Sequence, residues 1–215
     1  MNCCNNSFQD AVDEAFSAGV ALYQKKFKKR GFESSQKLLF EALVSRIKNC
    51  DILEIGWGVG ILHRELLCKG ARSVVGVDIA RGMLEAAKRL SETEGMADKT
   101  TYLKGDFMEL QDTIEVHDIV ILDKVICCYN DSEAQVKSSA LKARQFYFLS
   151  FPRSKWYIQV VIRLIIFFLR LFRAKFHPYI YQISSVRLWL KDQGFKEIYT
   201  GNTFIWQVLG FEKKR

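Results

Sequence analysis

The chain has 215 residues, of which 49% are hydrophobic and 26% are charged, a composition that excludes a disordered tail and predicts one folded domain. Its formal charge of +8 can reflect binding to nucleic acid, to anionic lipid or to an acidic substrate, or merely a solvated surface. Charge alone therefore identifies no partner. The six cysteines match no zinc-ligand spacing, and the polar first residues lack an apolar signal segment. We therefore expect free thiols, no metal site and a cytoplasmic location.

The first 48 residues are expected to form a helical cap. Apolar residues recur at helical spacing from Phe8 to about Lys29 and again from Ser35 to about Lys48. No Gly/Ser-rich linker divides the chain, so this N-terminal cap, residues 1–48, is expected to belong to one domain spanning residues 1–215.

Residues 49–151 alternate short apolar strands with helices. The fourth strand is a continuous apolar run, which is typical of a strand buried on both faces of a sheet. The alternation predicts an α/β fold, a Rossmann-like, doubly wound and mostly parallel sheet with right-handed crossovers. The predicted strands are Asp51–Gly56, Ser73–Asp78, Thr101–Leu103, His117–Asp123 and Phe146–Phe151, and the predicted helices run from about Ile61 to Lys69, Arg81 to Ser91 and Ser132 to Lys142.

After Pro152 the pattern changes to an apolar segment, residues 156–172, which is too short and too interrupted by Arg163 to favour a membrane span. Three interpretations stay open: a cover over an apolar substrate pocket, a helix resting on a membrane surface, or a helix packed on the sheet. We expect residues 152–193 to be an apolar substrate-covering segment, ending in a helix from about Ser184 to Gln193.

The last residues, 194–215, are predicted to form two strands, Phe195–Tyr199 and Thr203–Leu209, around Gly201-Asn202. Two strands joined by a short turn would add an antiparallel hairpin to one edge of the sheet. The complete sheet is then expected to have seven strands.

The first chemical signal is a strand that ends in three alternating glycines, Gly56, Gly58 and Gly60. Glycines let the backbone turn sharply and approach a ligand without interference from a Cβ. The N–H groups at the start of the next helix can then face an anionic group. A dinucleotide fingerprint would need glycine where Ile61 stands, which disfavours a nicotinamide oxidoreductase.

Two further signals follow the next two strands. Asp78 closes the second strand, where a carboxylate can accept both hydroxyls of a ribose or cap the following helix. Gly105-Asp106-Phe107 follows the third strand. The glycine loop and the two acidic residues occur in order at strand ends, the edge at which ligands bind in such sheets.

Together these motifs resemble class I S-adenosylmethionine-dependent methyltransferases. A narrower similarity, to bacterial methyltransferases related to magnesium-protoporphyrin O-methyltransferase, rests on Asp123–Tyr129, Ser150–Arg153 and Phe176–Pro178. Trp57 departs from the family, which usually has a small residue between the first two glycines. Asn130 also departs, because proline commonly follows Cys-Cys-Tyr in these sequences.

The resemblance implies S-adenosylmethionine as the cofactor and assigns candidate residues. The expected cofactor-binding residues are Glu54, Gly56, Trp57, Gly58, Gly60, Asp78, Ile79, Gly105, Asp106, Phe107 and Asp123. In the family the loop after the fourth strand lies beside the transferable methyl group. The expected substrate-binding residues are therefore Cys127, Cys128 and Tyr129, with Arg153 and Arg163 for an anionic substrate. The candidate catalytic residues are His177 and Tyr129. His177 can remove a proton from the acceptor or can be a turn residue before Pro178, and Tyr129 can orient a substrate or cap the core.

The resemblance implies methyl transfer to a small, apolar or aromatic molecule, with oxygen favoured as the acceptor atom. Two alternatives stay open. One is an RNA methyltransferase, which the basic charge encourages, although we expect no nucleic-acid partner because no RNA-binding module is evident. The other is a degenerate, non-catalytic protein that binds a ligand or contacts a membrane surface peripherally through residues 156–172. Trp57 keeps this last alternative open, because an indole there can block the cofactor pocket.

Overall fold

The computed structural model describes residues 3–171 and 178–214, which form one seven-stranded sheet with helices on both faces. The strands are β1 Asp51–Ile55, β2 Ser73–Asp78, β3 Thr100–Lys104, β4 His117–Asp123, β5 Ala143–Pro152, β6 Phe195–Asn202 and β7 Trp206–Lys213. The helices are α1 Cys3–Ser17, α2 Val20–Arg30, α3 Ser34–Leu43, α4 Ile61–Cys68, α5 Arg81–Thr93, α6 Phe107–Leu110, α7 Ser132–Leu141, α8 Trp156–Leu171 and α9 Ile183–Asp192.

The strand order is β3-β2-β1-β4-β5-β7-β6. Strands β1 to β5 pair in parallel, whereas β7 lies antiparallel between β5 and β6. The sequence prediction of a doubly wound sheet with an antiparallel C-terminal edge is therefore confirmed. Crossover helices lie on both faces of the parallel strands, which accounts for the continuous apolar sequence of β4.

The core lies on both faces of the sheet. Successive residues of a strand face opposite sides, so Val120 and Ile121 of β4 belong to different apolar clusters. One cluster packs α7 and α9 on the sheet, and the other packs α3 and α4 on it. Full burial of each such aliphatic side chain stabilises the fold by about 1.5–3 kcal/mol.

The N-terminal cap contains a break that the sequence pattern did not predict. A single helix was expected from Phe8 to about Lys29, but α1 ends at Ser17 and α2 begins at Val20. The N–H of Gly19 bonds the carbonyl of Phe16, and Gly19 then serves as the N-cap of α2. A glycine has little helical preference, which suits a break between two helices at this position.

The turn of the edge hairpin also differs from the prediction. Gly201 and Asn202 belong to β6, and the turn lies at residues 203–205. Thr203 closes this turn, because its N–H donates to the carbonyl of Trp206 and its hydroxyl accepts from the Trp206 N–H, each at 2.8 Å. The side-chain hydrogen bond of threonine therefore decides the turn.

Helix α8 is apolar but largely exposed. Ile158 and Ile162 are buried against the fold, whereas Trp156 and Phe167 are 76% and 61% exposed. Tyr157 stacks on Phe204 of the hairpin turn, with ring centroids 5.3 Å apart. Within residues 3–171 and 178–214, no helix has the length and apolar character needed to cross a bilayer.

Candidate active site

A cleft of about 1260 Å³, including the part open to solvent, lies at the carboxyl ends of β1, β2 and β4 and is bordered by α1 and α2. Parallel strands end at the same edge, so motifs that are distant in sequence meet here. The predicted site residues that line this cleft are Glu54, Gly56, Trp57, Gly58, Asp78, Ile79, Gly105, Asp106, Phe107, Asp123, Cys128 and Tyr129.

Gly58 lies at the centre of the glycine loop. Its φ of 58° lies in the left-handed region, which glycine adopts without steric cost. A Cβ on Gly58 would meet nothing within 4 Å, so the backbone of Gly58 borders open space. Gly60, also with positive φ, is the N-cap of α4 and turns the chain into that helix. At Gly58 the loop therefore presents backbone rather than side chain to the cleft.

Asp78, the last residue of β2, holds the glycine loop. Its Oδ2 accepts a hydrogen bond from the N–H of Gly58 at 3.0 Å, and its Oδ1 accepts one from Ala80 at 2.8 Å. Burial raises the pKa of Asp78 to about 6, although the two hydrogen bonds oppose this rise. Asp78 is thus held in a partly buried position at the edge of the cleft, with a raised pKa.

Asp106 follows β3 and is 1% exposed. Its Oδ1 accepts from the N–H of Met108 at 2.9 Å, so Asp106 caps α6. Its Oδ2 accepts from the hydroxyl of Tyr129 at 3.0 Å. Burial raises the pKa of Asp106, and burial together with the charge of Asp106 raises the pKa of Tyr129. Tyr129 therefore lies beside the acid at the end of β3.

Trp57 does not project into open space. The side chain is 4% exposed and lies against Gly76 of β2, where a Cβ would come within 1.8 Å of the indole. The indole also packs edge-on against Tyr102 of β3, with ring centroids 4.9 Å apart. The absence of a side chain at Gly76 thus creates the space that the large residue in the glycine loop requires.

Comparison with known proteins identifies the domain. Residues 52–142 match the model of a family described as a methyltransferase domain. Over these residues the chain is therefore similar to methyltransferase domains. Protein arginine N-methyltransferase 1 of Saccharomyces cerevisiae is 37% identical over 70 residues, which are 33% of this chain and 20% of that protein. The chain spans between 16% and 34% of the length of the curated relatives that it matches.

Solved structures share the fold of the methyltransferase domain. The magnesium protoporphyrin IX methyltransferase of Synechocystis PCC 6803, with bound S-adenosylhomocysteine, has a TM-score of 0.73 at 21% identity and covers 94% of this chain and 98% of that chain. An O-methyltransferase family protein from Burkholderia thailandensis has a TM-score of 0.70 at 11% identity and covers 94% of this chain and 59% of that chain. The Synechocystis protein was also solved with S-adenosylmethionine, the cofactor that a methyltransferase domain implies.

A buried polar network lies behind the glycine loop of the methyltransferase domain. Oε2 of Glu54 lies 3.0 Å from Nδ1 of His63, and Nε2 of His63 lies 3.1 Å from the hydroxyl of Tyr102. Burial raises the pKa of Glu54, although its hydrogen bond to His63 opposes this rise. Both imidazole nitrogens of His63 are thereby engaged, and the sequence analysis had assigned His63 no role.

Helix α1 is attached to the methyltransferase domain beside Asp78. Oδ1 of Asp13 accepts from the N–H of Arg81 at 2.8 Å, and the hydroxyl of Ser17 accepts from the N–H of Gly82 at 2.8 Å. These N–H groups are the first two of α5, and the methyl side chain of its own N-cap, Ala80, cannot accept a hydrogen bond from them. A helix distant in sequence therefore supplies the cap of α5.

Lys124 is the main functional candidate that the sequence analysis missed. It directly follows Asp123 and has a φ of 62°, which is uncommon for a residue other than glycine. Its N–H donates to the carbonyl and the hydroxyl of Ser150, which holds this conformation. The Lys124 ammonium group pairs with Glu33, which also binds Lys26. Strained backbone of this kind is often found at ligand sites.

Four of the predicted residues that the structure describes do not line the cleft: Gly60, Cys127, Arg153 and Arg163. Cys127 is buried, with its thiol donating to the carbonyl of Lys124 at 3.3 Å, and only its neighbour Cys128 lines the cleft. The guanidinium of Arg153 donates to the carbonyl of Thr203 at 2.9 Å and so supports the hairpin turn. Arg163 is exposed on α8. His177 lies outside the described residues.

Proposed function

We propose that this protein transfers the methyl group of S-adenosylmethionine to an oxygen atom of a small, apolar or aromatic acceptor. The observation that carries the proposal is the convergence of the glycine loop, Asp78 and Asp106 on one cleft at the carboxyl edge of the sheet. The fold shared with O-methyltransferases supports the proposal but fixes no acceptor.

The residues present fit the proposed cofactor. An ionised carboxylate has about four acceptor positions, and protein N–H groups use two of those on Asp78. We assign the remaining two to the ribose hydroxyls. The open space beside Gly58 suits the methionyl part of the cofactor, since no side chain intervenes.

We assign the adenine end to Asp106 and Phe107. Tyr129 already donates to Asp106, so its hydroxyl orients this acid at the same end of the cleft. A tyrosine beside a carboxylate, with its pKa raised, is a poor proton acceptor at neutral pH. We therefore propose Tyr129 as a positioning residue rather than a general base, and His177 remains the candidate base.

When bound, S-adenosylmethionine would supply a sulfonium-activated methyl group for in-line transfer to an acceptor oxygen, with S-adenosylhomocysteine as the leaving group. The contribution of the chain is to orient the two reactants and to exclude water. Phe16, Tyr23 and Phe27 of the N-terminal cap line the cleft and give it an apolar wall. An acceptor that is already ionised needs no base.

Isothermal titration calorimetry with S-adenosylmethionine and S-adenosylhomocysteine tests this proposal. The intact protein should bind both, and Asp78→Ala should weaken binding by at least about tenfold, because hydrogen bonds to a charged group contribute about 1.5–3 kcal/mol. Asp112→Ala is the matched control, since Asp112 is exposed and outside the cleft. Failure of the folded wild-type protein to bind either compound would refute the proposal.

A further inference from the structure

A second groove adjoins the cleft, between the α2–α3 connection and the turn of the edge hairpin. We propose that this groove is the acceptor subsite, and that the ion cluster formed by Lys26, Glu33 and Lys124 recognises an anionic group of the acceptor. The inference rests on the proposed methyltransferase function and defines the ligand class of its second substrate.

The groove and the cleft are neighbouring spaces. The groove has an empty volume of about 790 Å³ and shares Lys26, Gly31 and Glu33 with the cleft. Its opposite wall is the hairpin turn, residues 203–206. Glu33 thus stands at the junction between the groove and the space assigned to the methyl donor.

The groove is electrostatically suited to an anion. Lys26 and Arg30 line it, and α3 begins at Ser34 with the positive end of its dipole at the groove. Glu33 is the one carboxylate among the described groove residues, and it pairs with the ammonium groups of both Lys26 and Lys124. Partial burial raises the pKa of Glu33, but the two lysines lower it by more, so the pKa lies below its usual value.

Glu33 therefore occupies the position that the anionic group of a ligand would take. If a ligand carboxylate displaces Glu33, both lysines keep a negatively charged partner and Glu33 can turn to solvent. Such an exchange avoids the cost of leaving a half-buried ammonium group unpaired. The side chains of Lys124 and Glu33 are 20% and 27% exposed; Glu33 lines both spaces, and Lys124 lines the cleft beside it.

The remaining walls suit a flat apolar ring. Phe32, Phe204 and Trp206 line the groove, and the ammonium group of Lys124 lies 5.1 Å from the centroid of the Trp206 ring. The hydroxyl of Ser35 is buried, lines the groove and has no hydrogen-bond partner among the described residues. A flat ring in this groove would lie against Phe32, Phe204 and Trp206, with its anionic group toward the ion cluster.

Calorimetry on the protein saturated with S-adenosylhomocysteine tests the assignment with 2-naphthoate and its neutral counterpart 2-naphthamide. We expect 2-naphthoate to bind at least about tenfold more tightly. Lys124→Gln should abolish this preference without changing the affinity for 2-naphthamide, and Glu33→Gln should strengthen 2-naphthoate binding by removing the competing carboxylate. Lys28→Gln, an exposed residue of α2 outside the groove, is the matched control.

The two proposals fail in distinguishable ways. If the folded wild-type protein does not bind the cofactor, the methyltransferase function is refuted. Normal cofactor binding with no preference for 2-naphthoate, or with no binding of either probe at millimolar concentration, would overturn the anion site alone. Weaker 2-naphthoate binding by Glu33→Gln would also overturn it and would leave the ion cluster as a structural link between cap and core. Lys26→Gln provides a second charge deletion at a more exposed position, should Lys124→Gln fold poorly.

Discussion

The carboxyl group of Asp78 links the protonation of the protein to the cofactor binding that we propose. Burial raises its pKa to about 6, while its hydrogen bonds from Ala80 and Gly58 oppose the rise. This raised pKa means that Asp78 favours the folded state most at low pH, and that this contribution is lost as the pH rises through about 6. Binding of ribose hydroxyls has the opposite requirement, because it needs the ionised carboxylate.

We therefore predict that the affinity for S-adenosylhomocysteine falls by about tenfold per pH unit below about pH 6, since only the ionised form binds. Titrations from about pH 5 to about pH 8 measure this dependence. Asp78→Asn should bind weakly at every pH and show no step near the pKa. A wild-type affinity that stays constant across the range would contradict the ribose assignment.

The pair formed by Trp57 and Gly76 gives a prediction about stability. A Cβ on Gly76 would approach Cε3 of Trp57 to 1.8 Å, so Gly76→Ala should lower the free energy of unfolding by about 1–3 kcal/mol. Urea denaturation of Gly76→Ala, Trp57→Leu and the double variant measures the coupling between the two positions. The cost of Gly76→Ala should largely disappear in the Trp57→Leu background. Additive effects would show that the indole is not what excludes a side chain at Gly76.

Single residues were predictable from the sequence where a motif fixes them to a strand end. The glycine loop, Asp78 and Asp106 follow three strands whose order was recognisable, so their convergence followed from the fold. The Lys124–Glu33 pair was not predictable, because it joins residues 91 positions apart across the cap and the core. Positive φ at Lys124 and the direction of the Trp57 ring are likewise set by tertiary packing.

At the scale of elements, the strands of the core were predicted closely because each is a short apolar run bounded by polar or glycine residues. The break between α1 and α2 was missed, since apolar residues keep helical spacing on both sides of Gly19. The hairpin turn was placed at Gly201-Asn202, a pair typical of turns, but the hydrogen bonds of Thr203 determine its position. A specific hydrogen bond overrode local residue preference at the hairpin turn, whereas the helix break coincides with the low helical preference of Gly19.

Helix α1 illustrates how an element can serve two others. Asp13 and Ser17 cap the first N–H groups of α5, and α5 directly follows the strand that ends in Asp78. Partial burial raises the pKa of Asp13, but the hydrogen bonds from Ser17 and Arg81 lower it by more, so the pKa lies below its usual value. Loss of a side chain that caps the N-terminus of a helix costs about 0.5–2 kcal/mol of stability. The docking of α1 is therefore sensitive to two side chains at the border of the proposed cofactor site.

In the whole molecule, the carboxyl edge of the sheet carries the proposed cofactor residues. Helices α1 and α2 of the N-terminal cap border the same cleft. Helix α8 contacts the hairpin turn through Tyr157 and Phe204, on the far side of the second groove. Cofactor binding should therefore order the cap and the glycine loop together and leave α8 unaffected, because α8 does not line the cleft. This division follows from the positions of the elements and does not depend on the identity of the acceptor.

We predict that saturating S-adenosylhomocysteine slows amide hydrogen exchange in α2 and in residues 56–60, with no change in α8. Ligand at about 100 times its Kd stabilises the folded state by about 2.7 kcal/mol, which is enough to slow exchange through opening of the cap roughly a hundredfold.

The double variant Asp13→Ala, Ser17→Ala should exchange faster in α1 without ligand and bind the ligand severalfold more weakly, because part of the binding energy must redock the cap. Asp10→Ala, an exposed change in the same helix, should behave like the wild type. Protection confined to residues 52–142, with none in α2, would show that the cap plays no part in holding the cofactor.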